Sequence, residues 1–349
     1  MKVGIIGCGG IAPAHIKVYK SLKNIDVVGV CDLNIDRAKK VASEFRIESA
    51  YKNYFELFEK SKLDLVDICT PVSTHRQIVC DAAETVPAIL VEKPMAFNVA
   101  ECDEIIKKID KYGRKLCIGH NQLFSPHIQR AKKLVDSENF NLQCFRTTLK
   151  ASFETLKAFS LAPPWNVSPE QKGIIWEVCC HHAYLQLHFL PGIKEVYAVG
   201  GKVKYSVYDD FAVLLRTGND CFGIIEITWI PRETEVVYEL RNTAGKRFQI
   251  QWEHDYMLEL SQNPPLSASL VLKNMIVDQK RLWAKWTKFG NAYFHKRKLL
   301  PGFNLITSYI ESIEKDLPPP VSPQDGRRTV NLLECIQKSL DEKHPITVS

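Results

Sequence analysis

A glycine-rich turn near the first residue is the feature whose residue types and spacing most directly suggest chemistry. Residues 4–12 read Gly-Ile-Ile-Gly-Cys-Gly-Gly-Ile-Ala, in which Gly7, Gly9 and Ala12 fit the pattern G-x-G-x-x-G/A. Gly7 permits a tight reversal, Gly9 lets the backbone approach a pyrophosphate, and the small Ala12 lets a helix pack close to the strand. The N-terminus of that helix offers free N–H groups and a positive dipole end to the phosphates. The turn therefore predicts dinucleotide binding.

An acid after the second apolar run supports that prediction. Residues 27–31 form the run and Asp32 follows it, about 20 residues past the glycine turn, where a carboxylate can accept hydrogen bonds from ribose hydroxyls. A carboxylate repels a ribose 2′-phosphate, so Asp32 favours NAD. The side chain of Arg37 could reach the adenine edge or such a phosphate, so NADP is the alternative cofactor. The alternative for Arg37 is an ordinary solvated position on a helix.

Polar residues also follow the later apolar runs, and these runs predict the elements that position the site. Runs at 65–69, 89–91 and 115–119 alternate with helical patterns, which is typical of a parallel sheet covered by helices. The residues that follow these runs are Thr70, Pro71, Glu92, Lys93, His120 and Asn121. Ligands of open α/β sheets bind beyond the carboxyl ends of the strands, so we expect these residues to share one site with the glycine turn.

The pattern changes after residue 121. Runs typical of strands lie at 144–152, 195–199, 212–216, 223–229 and 236–242, with helical patterns at 126–137, 173–189, 302–314 and 325–340. This arrangement predicts a mostly antiparallel sheet with helices on one face. The expected fold is an α/β Rossmann dinucleotide-binding domain over residues 1–121, followed by an α+β domain with a large, mostly antiparallel open sheet over residues 122–349.

Composition narrows the class of protein. The chain has 349 residues, 45% of them hydrophobic, which is ordinary for a globular protein with a substantial core. Its net charge of +6 does not indicate nucleic-acid binding. We find neither a membrane-spanning apolar run nor a signal-peptide pattern before the first strand. The 11 cysteines form no C-x-x-C pair, so we expect reduced thiols in a cytoplasmic protein.

Taken together, the motifs resemble the glucose–fructose oxidoreductase/inositol dehydrogenase (Gfo/Idh/MocA) family over nearly the whole chain. They are the glycine turn, Thr70-Pro71 with His75 soon after, Glu92-Lys93-Pro94, Gly119-His120-Asn121 before Ser125-Pro126, and Pro-Val-Ser-Pro-Gln-Asp-Gly at 320–326. The resemblance implies an NAD(P)-dependent oxidoreductase acting on a CH–OH group of a sugar, cyclitol or nucleotide sugar. It also implies a second domain that provides the substrate pocket and the interface of a homo-oligomer.

A second signature of that family is a glycine-rich lead-in, then an acid and a histidine four residues on. Glu177 and His181 match it, although Glu177 stands where the family usually has Asp. Gln171 and Lys172 replace most of the lead-in glycines, and Tyr184 replaces a frequent later Asp. The match implies that His181 is the acid/base. Glu177 is expected to touch His181, because residues i and i+4 lie on one helix face.

These assignments suit the oxidation of an alcohol. A general base must remove the hydroxyl proton while hydride leaves, and an imidazole titrates near neutrality. A lysine at a strand end can stabilise the developing negative charge or relay the proton. The predicted catalytic residues are Lys93, His181 and Glu177. The predicted cofactor-binding residues are Gly7, Gly9, Gly10, Ile11, Asp32, Arg37, Thr70, Pro71, His75, Glu92 and Asn121.

Two further segments have alternative interpretations. Cys179-Cys180-His181-His182 could suggest a metal site, but consecutive helix residues point about 100° apart and cannot all face one ion, so we predict no metal. In residues 273–298, lysines and arginines are interleaved with aromatic residues. That pattern favours an amphipathic helix and loop with a basic outer face; the alternatives are contact with a membrane surface or a site for a phosphorylated or nucleotide-linked substrate.

The functional alternative to an enzyme is a non-catalytic dinucleotide-binding regulatory protein on the same scaffold. Both hypotheses need the glycine turn and Asp32, and they differ in whether Lys93 and His181 are required for turnover.

Overall fold

The computed structural model describes residues 1–137, 140–154, 167–231, 234–251, 256–260 and 301–348. Residues 273–298, with their basic and aromatic side chains, lie outside these ranges. The chain forms two compact units. Unit 1 contains residues 1–122, 164–184 and 301–334, and unit 2 contains residues 123–163, 185–300 and 335–349. Among the residues described, none of the helices combines the length and the apolar character that crossing a bilayer requires.

Unit 1 is built on a six-stranded parallel sheet. Its strands are β1 (Lys2–Ile6), β2 (Asp26–Cys31), β3 (Ser49–Tyr51), β4 (Leu65–Ile68), β5 (Ala88–Val91) and β6 (Lys115–Ile118), in the order β3-β2-β1-β4-β5-β6. All neighbouring strands are parallel. This order confirms the predicted Rossmann domain. The sequence did not predict β3, because three half-buried residues give no periodic pattern.

Helices connect these parallel strands. They are α1 (Ala12–Ser21), α2 (Ile35–Phe45), α3 (Tyr54–Lys60), α4 (His75–Thr85) and α5 (Val99–Tyr112). Asparagine side chains cap three of them: Asn34 begins α2, Asn53 begins α3 and Asn98 begins α5. Each accepts hydrogen bonds from the N–H groups of the first turn, which fixes where the helix starts. Because each helix starts shortly after a strand, the connecting loops collect at the carboxyl edge of the sheet.

Unit 2 contains helix α6 (Pro126–Val135) and an eight-stranded sheet. The strands are β7 (Leu142–Lys150), β8 (Ile193–Gly201), β9 (Asp210–Thr217), β10 (Phe222–Thr228), β11 (Glu235–Asn242), β12 (Arg247–Gln251), β13 (Tyr256–Leu260) and β14 (Ile346–Thr347). Their order is β13-β12-β11-β7-β10-β9-β8-β14, and only the β7–β10 pair is parallel. The prediction of a large, mostly antiparallel sheet is therefore confirmed.

Three more helices complete the described chain: α7 (Cys180–Phe189), α8 (Pro301–Glu314) and α9 (Pro323–Glu342). The sequence predicted a regular helix over 173–189, but residues Ile175–Cys179 form a wider π-helical turn directly before α7. A π turn has more residues per revolution than an α-helix, so side chains within it are rotated relative to those of α7. Glu177 lies in this turn, and its neighbours differ from those expected.

Candidate active site

The glycine turn between β1 and α1 exposes bare backbone where a cofactor phosphate would lie. Gly7 has a φ of +92°, and a Cβ there would stand 2.5 Å from the carbonyl oxygen of Cys69, so only glycine fits. A Cβ on Gly9 or Gly10 would meet no atom within 4 Å, and Ile11 is exposed. The open space above these residues, next to the N-terminus of α1, fits a dinucleotide pyrophosphate.

Asp32 lies beside this turn, at the end of β2. Its carboxylate accepts hydrogen bonds from the backbone N–H of Cys8, at 2.9 Å, and of Asn34, at 2.8 Å. Arg37 places Nη1 3.4 Å from the same carboxylate, with about half of its side chain exposed. The two backbone hydrogen bonds fix the orientation of the carboxylate, which is the group expected to meet a ribose. The guanidinium of Arg37 is close enough to the same position to meet a 2′-phosphate, so NADP is the alternative cofactor.

The segment after β4 holds three of the predicted cofactor residues, and one of them has an unexpected setting. Thr70 and Pro71 precede a short 3₁₀ turn, as expected at a strand end. His75 is fully buried, with Nδ1 2.8 Å from the carbonyl oxygen of Pro94 and Nε2 2.9 Å from that of Thr70. Burial lowers its pKa. The ring of His75 therefore joins the loops after β4 and β5, and its assignment to the cofactor site stays a prediction.

Lys93 and Glu177 form the central ion pair of the site. Lys93 Nζ donates to the backbone carbonyl of Glu177 at 2.8 Å and to its Oε2 at 3.1 Å. Both side chains are largely buried, with exposed fractions of 14% and 17%. Burial opposes the charge of Lys93, but the neighbouring groups Glu177, Cys180 and Glu92, with Glu177 contributing most, together outweigh it and raise the pKa of the lysine. Lys93 is therefore held as an ammonium ion in a position that solvent can still reach.

His181 does not pair with Glu177, contrary to the expectation from helical spacing. Its Nδ1 lies 2.7 Å from the hydroxyl oxygen of Tyr184, and no hydrogen bond joins it to Glu177 among the described residues. The spacing argument assumed a regular α-helix from 173 onward, whereas Glu177 lies in the π turn and faces Lys93. Glu177 therefore orients the lysine instead of the histidine.

The surroundings of His181 hold its imidazole neutral. Burial lowers the pKa of His181 well below its ordinary value, and the charge of Lys93 lowers it further, together with His182 and His120. A neutral imidazole is the form that can accept a proton. Asn121, predicted to bind the cofactor, accepts a hydrogen bond from the Tyr184 hydroxyl at 3.4 Å.

A buried charge network behind Glu92 was missing from the sequence-based predictions. His15, on α1, lies with Nδ1 2.8 Å from Asp67 Oδ2 and Nε2 3.4 Å from Glu92 Oε1. Tyr19 donates to the same Asp67 oxygen at 3.0 Å. Burial opposes the charge on His15, but Asp67 and Cys69 outweigh it and raise its pKa well above the ordinary value. His15 is therefore an imidazolium ion between two carboxylates.

Glu92 connects this network to Lys93. Burial opposes its ionisation, but the contact with His15 lowers the pKa of Glu92, and its Oε2 accepts the backbone N–H of Lys93 at 3.1 Å. The one signal in the sequence was Asp67, a charged residue inside an otherwise apolar strand. His15, Asp67 and Cys69 are also close enough to hold a metal ion. Hydrogen bonding and charge pairing already account for their arrangement.

Comparison with known proteins places these observations in a family. Residues 1–120 match the family model described as an oxidoreductase family with an NAD-binding Rossmann fold, and residues 128–250 match the GFO/IDH/MocA C-terminal domain. The uncharacterized oxidoreductase YrbE of Bacillus subtilis is 31% identical, over 99% of this chain and 96% of its own length. The chain belongs to the Gfo/Idh/MocA oxidoreductase family. Its membership confirms the predicted NAD-dependent oxidoreductase.

Two further relatives show the range of this family. The myo-inositol 2-dehydrogenase of Thermotoga maritima is 23% identical, over 99% of this chain and 98% of its own length. The WlbA dehydrogenase of Bordetella pertussis, solved with NADH and UDP-GlcNAcA, superimposes with a TM-score of 0.82. That alignment covers 100% of this chain and 98% of WlbA at 17% identity, so it supports the Gfo/Idh/MocA fold alone.

Proposed function

We propose that this oxidoreductase transfers hydride between nicotinamide and a ring carbon of a cyclitol, sugar or nucleotide sugar, with Lys93 and His181 as its acid–base residues. The observation that carries the proposal is the pairing of opposite proton states in one unit: an ammonium held by Glu177 and a neutral imidazole held by Tyr184. The names of the relatives indicate the substrate class, which includes inositol, D-apiose and a UDP-sugar.

The cofactor would be held by residues of the Rossmann domain. Gly7, Gly9, Gly10 and Ile11 would hold the pyrophosphate, and Asp32 the adenosine ribose. Thr70 and Pro71, after β4, would border the same ligand. A bound nicotinamide supplies the hydride acceptor for alcohol oxidation. The openness above Gly9 and Gly10 and the fixed orientation of Asp32 support this assignment.

The protein's own part in the reaction is proton transfer and charge stabilisation. His181, neutral because of burial and the nearby ammonium, would accept the hydroxyl proton at Nε2. Lys93 would stabilise the negative charge that develops on the same oxygen, since its ammonium is fixed in place before the reaction begins. In the reductive direction, protonated His181 would return the proton. Glu177 supports both directions by holding Lys93 in position.

We further propose that the chain forms a homo-oligomer through the exposed face of the unit 2 sheet. Within the apolar run at 223–229, Ile225 and Ile227 are buried and do not contribute to that face. Exposed apolar side chains of this sheet include Tyr197 and Val199 on β8 and Leu214 on β9, and Tyr197 lies opposite Leu214. Light scattering at micromolar concentration should give a multiple of the monomer mass, and a monomeric mass would contradict the proposal.

A substrate screen tests the proposed function. The full chain is mixed with NAD⁺ and, in separate reactions, inositols, aldoses and UDP-sugars, and NADH formation is followed by absorbance. We expect turnover with one of these classes and its loss in Lys93→Met. A protein that binds NADH but oxidises none of these compounds, in any of the three classes, would contradict the proposal.

A further inference from the structure

The Tyr184 hydroxyl lies at the meeting point of three polar groups beside His181. It is 2.7 Å from His181 Nδ1, receives the backbone N–H of Gln122 at 3.2 Å, and donates to Asn121 Oδ1 at 3.4 Å. Its ring stacks on His120, with centroids 4.3 Å apart and planes inclined by 20°. With only 2% of its surface exposed, Tyr184 has little freedom to turn away.

The single hydrogen of the Tyr184 hydroxyl can point to Asn121 or to His181, and this choice sets which nitrogen of His181 carries the proton. A phenol has one hydrogen to donate, and its oxygen can accept from other donors. The N–H of Gln122 can only donate, and the carbonyl oxygen of the Asn121 side chain can only accept. If the Tyr184 hydrogen points to Asn121, the oxygen is left as an acceptor toward His181. His181 must then carry its hydrogen on Nδ1 and leave Nε2 free.

We propose that Tyr184 is a positioning residue that fixes His181 as the Nδ1–H tautomer, so that Nε2 is the atom that exchanges protons with the substrate. This inference rests on the proposed role of His181 as the acid/base. The same tautomer serves both directions of the reaction. Whether Nε2 is free or protonated, Nδ1–H donates to Tyr184, and the hydroxyl keeps its bond to Asn121.

Tyr184, the hydrogen-bond partner of His181, is electrically neutral, and this affects the charge of the imidazole. The groups that face it are the ammonium of Lys93, the imidazoles of His120 and His182, and the phenol of Tyr184; the carboxylate of Glu177 is engaged by Lys93. An Asp at position 184 would place a negative charge near the ring and favour imidazolium. Tyr184 orients His181 without adding that charge, so the imidazole stays neutral.

The tautomer can be observed directly by nuclear magnetic resonance of the full chain labelled with ¹⁵N-histidine and saturated with NADH. The His181 signals are assigned by their loss in His181→Gln. We expect protonated Nδ1 and unprotonated Nε2 in the wild type at neutral pH. Tyr184→Phe keeps the ring on His120 but removes the acceptor, so we expect the Nδ1–H tautomer to lose its dominance. His75 is the internal control, because its carbonyl partners are unchanged.

A second variant tests the electrostatic part. Tyr184→Asp should raise the pH at which His181 takes up its second proton by about one unit or more, because an opposite charge nearby favours the charged form. A neutral wild-type His181 that carries its hydrogen on Nε2 and not on Nδ1 would overturn the proposal, and no variant is needed for that result. So would an unchanged tautomer in Tyr184→Phe together with an unchanged titration in Tyr184→Asp. Activity of His181→Ala is a separate measurement: if turnover persists there, the proposed function fails, whatever the tautomer is.

Discussion

His15 is buried and His181 is half-buried, and their surroundings hold them in opposite charge states. His15 lies between the carboxylates of Asp67 and Glu92 and is an imidazolium ion. His181 lies near the Lys93 ammonium and contacts a phenol, and it stays neutral. Burial disfavours the charge in both cases, so the partners decide the outcome. The charged histidine can stabilise structure, while the neutral one remains able to accept a proton.

Glu92 and Lys93 join these two surroundings. The two residues are adjacent in sequence and similarly exposed, at 12% and 14%, yet Glu92 contacts His15, whereas Lys93 pairs with Glu177. The backbone N–H of Lys93 also donates to Glu92. We infer that the buried network fixes the strand end from which Lys93, the proposed catalytic lysine, projects. A change in the network of His15 and Asp67 should alter the free energy of unfolding. A change in the pair of Lys93 and Glu177 should alter turnover.

The largest expected effect comes from removing the lysine charge. In Lys93→Met, turnover of the substrate found by screening should fall by about 10²–10⁴-fold, because both proton relay and charge stabilisation are lost. Glu177→Gln should cost less, since the backbone carbonyl of residue 177 still accepts from Lys93. Steady-state kinetics measures both. Lys107→Met, on the exposed side of α5, is the matched control, and equal activity of Lys93→Met and this control would contradict the assignment.

In the buried network of His15, Asp67→Asn should lower the free energy of unfolding. The change leaves the buried imidazolium of His15 with a single carboxylate partner, and breaking a buried ion pair costs about 3 kcal/mol. Urea unfolding of the wild type and the variant measures the difference. Asp110→Asn, at an exposed position near the end of α5, is the control. An Asp67→Asn protein as stable as the wild type would show that His15 is not held as an ion.

The pH dependence of that difference has a defined sign. The pKa of His15 is raised in the folded protein, so its contribution to stability is complete below the unfolded value of about 6.5. The contribution is lost as the pH rises through the folded pKa. The stability gap between wild type and Asp67→Asn should therefore narrow at alkaline pH. A gap that widens with rising pH would contradict this charge assignment.

The smallest expected effect concerns the charge pair of the largely buried Asp32 and the exposed Arg37. NADH should bind more tightly than NADPH, because the fixed carboxylate of Asp32 repels a 2′-phosphate. Fluorescence titration with both cofactors measures the preference, and Asp32→Ala should narrow it. If NADPH binds equally or more tightly, Arg37 becomes the partner of the phosphate, and the preference assigned to Asp32 is wrong.

Sequence patterns predicted the fold better than they predicted the partners within the site. Local spacing was enough to predict the glycine turn, Asp32 and the strand ends at Thr70 and Lys93. Each of these positions depends only on the strand before it and the turn that follows. Local spacing did not predict the partner of Glu177, because the π turn changes the direction in which its side chain points. The pairing of His15 with Glu92 could not be predicted from the sequence either, because the two residues are far apart along the chain and only the fold brings them together.

The role of His181 as a neutral base is tested most directly by His181→Ala. Turnover and NADH binding should be measured on the same preparation, with the substrate that the screen identifies. We expect kcat to fall by about 10²–10⁴-fold while the Kd for NADH stays nearly unchanged, because the base is removed and the cofactor residues are not. A variant that keeps the wild-type kcat would contradict the account, and His182 or Tyr184 would then be the next candidate for the base.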